Sequence, residues 1–241
     1  MSGTRRFLEG AVALAALLLL APVILVTAVL VRLTSPGAVF FRQQRMGRNG
    51  REFTLYKFRS MRVAGGAGCS ITVVGDARIT RLGALLRRYK IDELPQFWNV
   101  LRGDMGLVGP RPKLPHHEAL HLDCRPGITG VATLAFHKEE EFLSGIPECE
   151  LEAFYELFVK PAKAKLDLDY MRTATWFSDM RVLGRTAISC LFGAKDSLAG
   201  PAEIIARYAA ERVTTAKVLP MPASHPVRHR PVQPAALNSE V

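Results

Sequence analysis

Residues Ala11 to Val31 read AVALAALLLLAPVILVTAVLV, an uncharged and almost wholly apolar run. Its length matches the roughly 20 residues that a helix needs to cross about 30 Å of hydrocarbon. Pro22 stands in the middle, where a proline removes a backbone hydrogen bond and kinks or breaks a helix. Two half-length helices of about 10 residues, each about 15 Å long, would follow, short enough to enter one leaflet and return to the same face. The run is too long for the core of a secretory signal peptide, and no small-residue cleavage pattern closes it. Flanking charge bears on the choice between a span and a hairpin, because Lys and Arg accumulate on the cytoplasmic side. Arg5 and Arg6 precede the run, while Arg32, Arg42, Arg45, Arg48, Arg51, Lys57, Arg59 and Arg62 follow it against the lone acid Glu52. With both flanks positive, the reading is a re-entrant membrane helix hairpin over residues 1–33, broken at Pro22, with the rest of the chain on the cytoplasmic face.

Outside that anchor the composition is that of a folded protein. Of 241 residues, 49% are apolar, which excludes disorder throughout. The length allows one catalytic-sized globule with extensions. Lys and Arg number 32 against 22 Asp and Glu, a net charge of +10. Such an excess has three ordinary partners: nucleic acid, an anionic membrane surface or a phosphorylated substrate. No nucleic-acid reading motif accompanies the charge, so that partner is set aside. Cys69, Cys124, Cys149 and Cys190 show neither metal-ligand spacing nor a dense disulfide framework, and read as reduced thiols.

Val39 to Gln43 and Glu52 to Phe58 are rich in aromatic and β-branched residues, and the Asn49-Gly50 between them suits a tight turn, so a basic β-hairpin is predicted. Gly65 to Ser70 reads as a small-residue loop. Ile79 to Tyr89 recovers helical spacing through Leu82, Leu85 and Leu86, and another helix starts near Asp92 and ends at Gly103. Gly109-Pro110-Arg111-Pro112 is an extended turn, Pro115 to Leu122 a further helix, and Glu148 to Lys165 is helical apart from Pro161. Trp176 to Phe192 is an amphipathic stretch suited to lie on lipid. The fold class expected is α/β, predominantly helical. It comprises a catalytic domain over 34–195 with a small β-hairpin and interfacial amphipathic helices, a C-terminal helix over 196–217, and a disordered tail over 218–241, where five of 24 residues are proline.

The stretch richest in chemistry runs Arg87-Arg88-Tyr89-Lys90-Ile91-Asp92-Glu93-Leu94-Pro95-Gln96. Two adjacent carboxylates at a helix start can simply cap it, because acids there satisfy free N–H groups and the helix dipole. Adjacent helical residues also point about 100° apart, which lets one acid act as a nucleophile and the other as a metal ligand. Arginines on constrained backbone, Arg111 between two prolines and Arg59 beside Phe58, suit bidentate recognition of phosphate. Gly103 to Gly109 has the wrong glycine spacing and follows a helix, which rejects Rossmann and Walker readings. His117-Glu118-Ala119-Leu120-His121 matches H-E-x-x-H, so a membrane zinc metalloprotease is a rival reading, with Glu139 to Glu141 as the source of a third ligand. A noncatalytic basic membrane adaptor is another.

Taken in order, these motifs resemble the bacterial sugar transferases, the monotopic polyprenyl-phosphate phosphoglycosyl transferases. The likeness runs through the breaking proline, Phe41-Arg42-Gln43, Tyr56 to Met61, Asp92 to Gln96, Asn99 to Met105, Val108 to Pro112, Arg125 to Gly130 and Leu166-Asp167. The resemblance implies transfer of a sugar 1-phosphate from a UDP-sugar to polyprenyl (undecaprenyl) phosphate, with release of UMP, as the first membrane step of exopolysaccharide or other glycan assembly. It implies Mg2+ as cofactor, Asp92 as the nucleophile that forms an aspartyl phosphosugar, and Glu93, with Asp92, at the metal. Lys57, Arg59, Arg87 and Arg111 are the candidates to neutralise the phosphates. It further implies a bacterial inner-membrane location, with anionic lipid as a partner of the basic surface. The chain departs from the family pattern twice. Ala21 precedes the hairpin proline where members often carry serine, and Val131 to Lys138 replaces Trp-Ala-Gln-Val-Asn-Gly-Arg-Asn. Either His137 or Lys138 takes over the lost charge, or the donor sugar differs.

Overall fold

The computed structural model of the protein describes residues 3–62, 76–115, 123–192, 200–207 and 210. The loop expected over Gly65 to Ser70, most of the helix expected over Pro115 to Leu122, Cys69 and the tail over 218–241 lie outside these residues. The apolar run forms two helices, α1 (Gly3–Leu19) and α2 (Ala21–Thr34), bent by 62° at their junction. The break falls just ahead of Pro22, which sits in the first turn of α2. There its missing N–H is one of the groups that a helix start leaves unpaired anyway. Both helices exceed the expected half-length, at 17 and 14 residues, or about 25 and 21 Å. Gly3 to Gly10, ahead of the apolar run but within the expected hairpin over 1–33, is helical too. No single described helix is long and apolar enough to cross a membrane, although the bent pair meets that test together.

Hydrophobicity alone does not separate the two ends of α1. Its inner part is built into the protein: Ala13 is fully buried in a core with Phe53, Leu55, Val100, Met105, Leu107 and Val108. Its outer end and α2 carry Leu18, Leu19, Val23, Leu25, Val26, Val29, Leu30 and Leu33 exposed. Burying a single such side chain is worth about 2 kcal/mol, so this bare apolar tip needs an apolar surrounding.

Strands β1 (Phe40–Met46) and β2 (Glu52–Phe58) form the expected antiparallel hairpin, pairing Phe40 with Phe58 and Met46 with Glu52. Its turn uses left-handed backbone at Asn49 (φ 56°) and Gly50 (φ 72°), the conformation that Asn-Gly tolerates best. Phe53 and Leu55 alternate inward along β2, and Lys57 continues that face. Helix α3 (Arg81–Arg88) starts at Thr80, whose side chain accepts from the Gly83 N–H. Helix α4 (Gln96–Arg102) ends at Gly103 in the left-handed region (φ 85°).

Two three-residue strands, β3 (Gly106–Val108) and β4 (Gly127–Thr129), pair in parallel, and no periodicity rule could detect elements so short. Their continuation brings backbones together. The Gly109 N–H donates to the Thr129 carbonyl and the Gly127 N–H to the Pro110 carbonyl, each at 2.9 Å. A Cβ at Gly127 would lie 2.1 Å from the Gly109 nitrogen, so glycine there is a packing requirement. The pairing fixes the backbone of Gly109 to Pro112.

The remaining helices are α5 (Val131–Ala135), α6 (Glu139–Leu143), α7 (Glu148–Phe154), α8 (Lys160–Thr173) and α9 (Trp176–Phe192). The expected Glu148 to Lys165 helix is divided by a π-type turn at Tyr155–Val159, and α8 runs on to Thr173. Pro161 explains the division, since it cannot donate to a carbonyl four residues back. A second core joins Phe136, Leu143, Leu151, Val159 and Ala162 with Ile205. Within the C-terminal helix expected over 196–217, residues 201–207 are helical. The architecture is predominantly helical with two small sheets.

Candidate active site

The Asp92-Glu93 pair is not a helix cap. Lys90 turns the chain through left-handed backbone (φ 56°), Ile91–Glu93 makes one 3₁₀ turn, and α4 begins only at Gln96, after Pro95. Both acids are buried, at 6% and 7% exposure. In a turn of three residues, neighbouring side chains diverge by about 120°, and the two carboxylates enter different surroundings. Glu93 Oε1 accepts from Lys57 Nζ at 3.0 Å and from Arg111 Nη2 at 2.9 Å. Burial alone would raise its pKa, but Arg111, Lys57 and Lys90 outweigh that and hold Glu93 well below the usual carboxylate range. The reciprocal effect raises Arg111, while burial lowers Lys57 against the pull of Glu93.

Asp92 differs. Its Oδ1 is buried and accepts no hydrogen bond from any described residue. Burial and the Glu93 charge raise its pKa, against the opposing pull of Lys57, Lys90 and Arg87. A buried acceptor without a donor costs on the order of 1–3 kcal/mol, and such a group marks a place where something else binds or reacts. An uncommitted carboxylate oxygen beside cations is a nucleophile suited to phosphorus.

Asn99 fixes this geometry. It is fully buried; its Nδ2 donates to the Thr54 carbonyl at 2.7 Å and its Oδ1 accepts from the Tyr56 N–H at 3.2 Å. Those two bonds hold α4 against the backbone of β2, one residue from Lys57. Arg111 is fixed by the glycine-paired β3 and β4.

The four cations expected from sequence divide. Lys57 and Arg111 meet at Glu93. Arg87 is near enough to lower the Asp92 pKa, yet its guanidinium donates to Glu140 on α6. Arg59 goes elsewhere: its Nη2 donates to the Ser35 carbonyl at 2.5 Å, beside Gly37, where the chain leaves α2. The expectation counted charge near Phe58 and had no means of seeing which way the chain turns there. Arg45, Lys113 and Lys163 were missed. Arg45 donates to Gln43 Oε1 and to the Pro112 carbonyl, and lines a recess with Leu55, Lys57, Gln96, Arg111, Pro112 and Gly127. Lys113 Nζ lies 4.0 Å from Asp167 Oδ2, and Lys163 Nζ is 2.5 Å from both oxygens of Glu139. Asp167 is 2% exposed, and burial pushes its pKa up to about 6.

The departure at Val131 to Lys138 is a core feature. Ala132, Leu134, Ala135 and Phe136 are buried, whereas His137 and Lys138 are exposed. Lys163 lies over the Phe136 and Tyr155 rings.

Among the described residues no three His, Cys, Asp or Glu side chains group as metal ligands. Magnesium needs fewer, since one or two carboxylates suffice when substrate phosphates and water complete its shell. The adjacent Asp92 and Glu93, with Asp92 Oδ1 uncommitted, fit that ion. His117 and His121 lie outside the described residues, and Glu139 and Glu140 are engaged by Lys163 and Arg87. Nothing supports the zinc protease or the adaptor.

Comparison with known proteins identifies the family. A sequence profile for bacterial sugar transferases matches residues 2–193. A UDP-glucose:undecaprenyl-phosphate glucose-1-phosphate transferase of Xanthomonas campestris pv. campestris is 41% identical over 191 residues, 74% of this chain and 37% of the relative. An exopolysaccharide production protein PSS of Rhizobium leguminosarum bv. phaseoli is 39% identical, over 73% of this chain and 89% of its own. A UDP-N-acetylgalactosamine-undecaprenyl-phosphate N-acetylgalactosaminephosphotransferase of Aeromonas hydrophila is 44% identical over 53% of this chain and 33% of its own. The chain thus spans about a third of the Xanthomonas and Aeromonas relatives and most of the Rhizobium one. With the profile covering most of its length, the chain belongs to the bacterial sugar transferase family.

Proposed function

We propose that the protein transfers a sugar 1-phosphate from a UDP-sugar to polyprenyl phosphate, in bacteria undecaprenyl phosphate, and releases UMP. The observation that carries this reading is the buried, unpartnered Oδ1 of Asp92 beside a glutamate held ionised by two cations. The Asp92 carboxylate attacks the phosphorus that bears the sugar; the bond to the bridging oxygen breaks, and its electron pair leaves with UMP. Polyprenyl phosphate then displaces Asp92 from the aspartyl phosphosugar. Lys57 and Arg111 serve this chemistry through charge, since negative charge grows on the phosphoryl oxygens in both steps. Asp92 and Glu93 would hold magnesium, which supplies further neutralisation of the diphosphate when bound.

The bent apolar helices support a re-entrant, monotopic anchor in the inner membrane, with the catalytic part on the cytoplasmic face. Arg5 near the start of α1 pairs with Asp179 of α9 at 2.5 Å, and Glu9 pairs with Arg125. Residues before the apolar tip thus sit on the same body as residues that follow it. A spanning helix would place them on opposite sides. Exposed Trp176, Phe177, Met180 and Ile188 on α9 suit an interfacial position.

The test mixes the protein with magnesium, undecaprenyl phosphate and a panel of UDP-sugars, with Asp92→Asn as the control. One donor should yield UMP in a stoichiometry equal to phosphosugar transferred, and mass spectrometry of the protein without acceptor should show a phosphosugar on Asp92. Release of UDP, or full turnover by the Asp92→Asn protein, overturns the reading.

A further inference from the structure

One recess is lined by three cations, Arg45, Lys57 and Arg111, with Leu55, Gln96, Pro112 and Gly127. Two of them already serve Glu93. Arg45 does not: among the described residues no carboxylate lies within ion-pair distance, and its guanidinium donates only to the neutral Gln43 side chain and the Pro112 carbonyl. It comes from β1, where it pairs across the hairpin with Phe53, and in the sequence it is one of many basic residues after the apolar run. A half-buried arginine beside a second arginine is unfavourable by itself; burial and the Arg111 charge lower its pKa to about 10. Such an arrangement is tolerated where an anion completes it.

We infer that the Arg45 recess is the subsite for the phosphate monoester that leaves, the phosphate of UMP. This rests on the function proposed above and deepens it. Lys57 joins the two places: it bonds Glu93, lies close enough to act on the Asp92 charge, and lines the recess. In the donor, the nucleoside-side phosphate is a diester carrying one negative charge. When the bridging P–O bond breaks, its electron pair stays on that phosphate, which becomes a monoester with nearly two negative charges at neutral pH. An extra arginine there interacts more strongly with the departing group than with the bound donor, the condition for lowering the barrier. The same residue favours retention of UMP and so makes it a product inhibitor.

A phosphate monoester also heads the lipid acceptor, and the experiment separates the two sources. UMP binding is measured by calorimetry on the full chain in nanodiscs for wild type, Arg45→Gln and Arg45→Lys, together with KM for the donor and for undecaprenyl phosphate. The expected result is a loss of UMP affinity of about tenfold in Arg45→Gln and a smaller loss in Arg45→Lys, since lysine keeps the charge and gives up the fork. Donor kcat/KM should fall, with donor KM rising less than the UMP affinity is lost, and acceptor KM stay within about twofold. Thermal unfolding of both variants in the same nanodiscs confirms that they are folded; if Arg45→Gln is not, Arg45→Lys decides, with UMP affinity at wild-type strength counting against the assignment. Unchanged UMP affinity in folded Arg45→Gln, or an effect confined to acceptor KM, overturns this inference and leaves the transferase reading standing. Wild-type protein that binds no UMP overturns both.

Discussion

Glu93 and Glu9 are two buried carboxylates, at 7% and 6% exposure, each held by a pair of cations. Glu93 has Lys57 and Arg111; Glu9 has Arg5 and Arg125. Their neighbours differ. Around Glu9 the polar circuit is closed, because Arg5 also bonds Asp179, and Asp179 accepts from the Tyr170 hydroxyl. Around Glu93 it is open, because among the described residues Asp92 next door keeps an oxygen without a donor and Arg45 in the recess has no carboxylate partner. The closed circuit ties α1 to α9 and to the Arg125 turn, and so fastens the apolar helix pair to the rest of the protein. In the proposed function the open one takes the ligand. Charge pairing alone therefore does not distinguish the two regions; the unsatisfied remainder does.

The difference is broken most severely at Asp92. Asp92→Asn keeps the shape and removes the proposed nucleophile, and should lower UMP release by about 10³-fold or more while the thermal midpoint stays near that of wild type. Glu9→Gln should do the reverse. It leaves Arg125 and Arg5 short of a charge and should cost roughly 3 kcal/mol of stability, read in denaturant titrations, while the protein that remains folded keeps its donor KM. Should Glu9→Gln instead abolish turnover at full stability, the closed circuit is part of the site.

A smaller effect probes Asp167, whose Oδ2 also has no hydrogen-bond partner among the described residues and whose pKa is raised by burial to about 6. A carboxyl with a raised folded-state value contributes stability that is present below the unfolded value near 4 and is lost as pH rises toward about 6. Asp167→Asn has no proton to lose there. Between pH 4.5 and 7 the wild type should therefore lose ground to the variant, by on the order of 2 kcal/mol. Parallel melting curves across that range, with no convergence or crossing, would show that Lys113 neutralises Asp167 fully.

How much of this was legible depended on the range of the signal. The Asn-Gly hairpin, the proline break and the amphipathic α9 are written in neighbouring residues and were read with boundaries close to those observed. The Asp92-Glu93 pair was found because two acids stand together after three cations. Its helix-cap reading failed because Lys90 enters left-handed backbone, which a sequence does not announce for lysine. Arg111 was found on constrained backbone; Arg59, chosen on the same ground, points to Ser35.

What the sequence determined by itself was the set of local preferences: an apolar run with a proline in it, a basic hairpin, and two carboxylates at a turn. These follow from side-chain volume, charge and backbone restriction over a few residues. The tertiary structure decided which cations meet which acids. Lys57, Arg111 and Arg45 come from β2, the Pro110-Arg111-Pro112 turn and β1, and converge because Asn99 binds the β2 backbone and glycines let β3 and β4 touch. Pairing between residues far apart in sequence depends on the packing of whole elements, and a buried oxygen left without a donor exists only once that packing has excluded water from it.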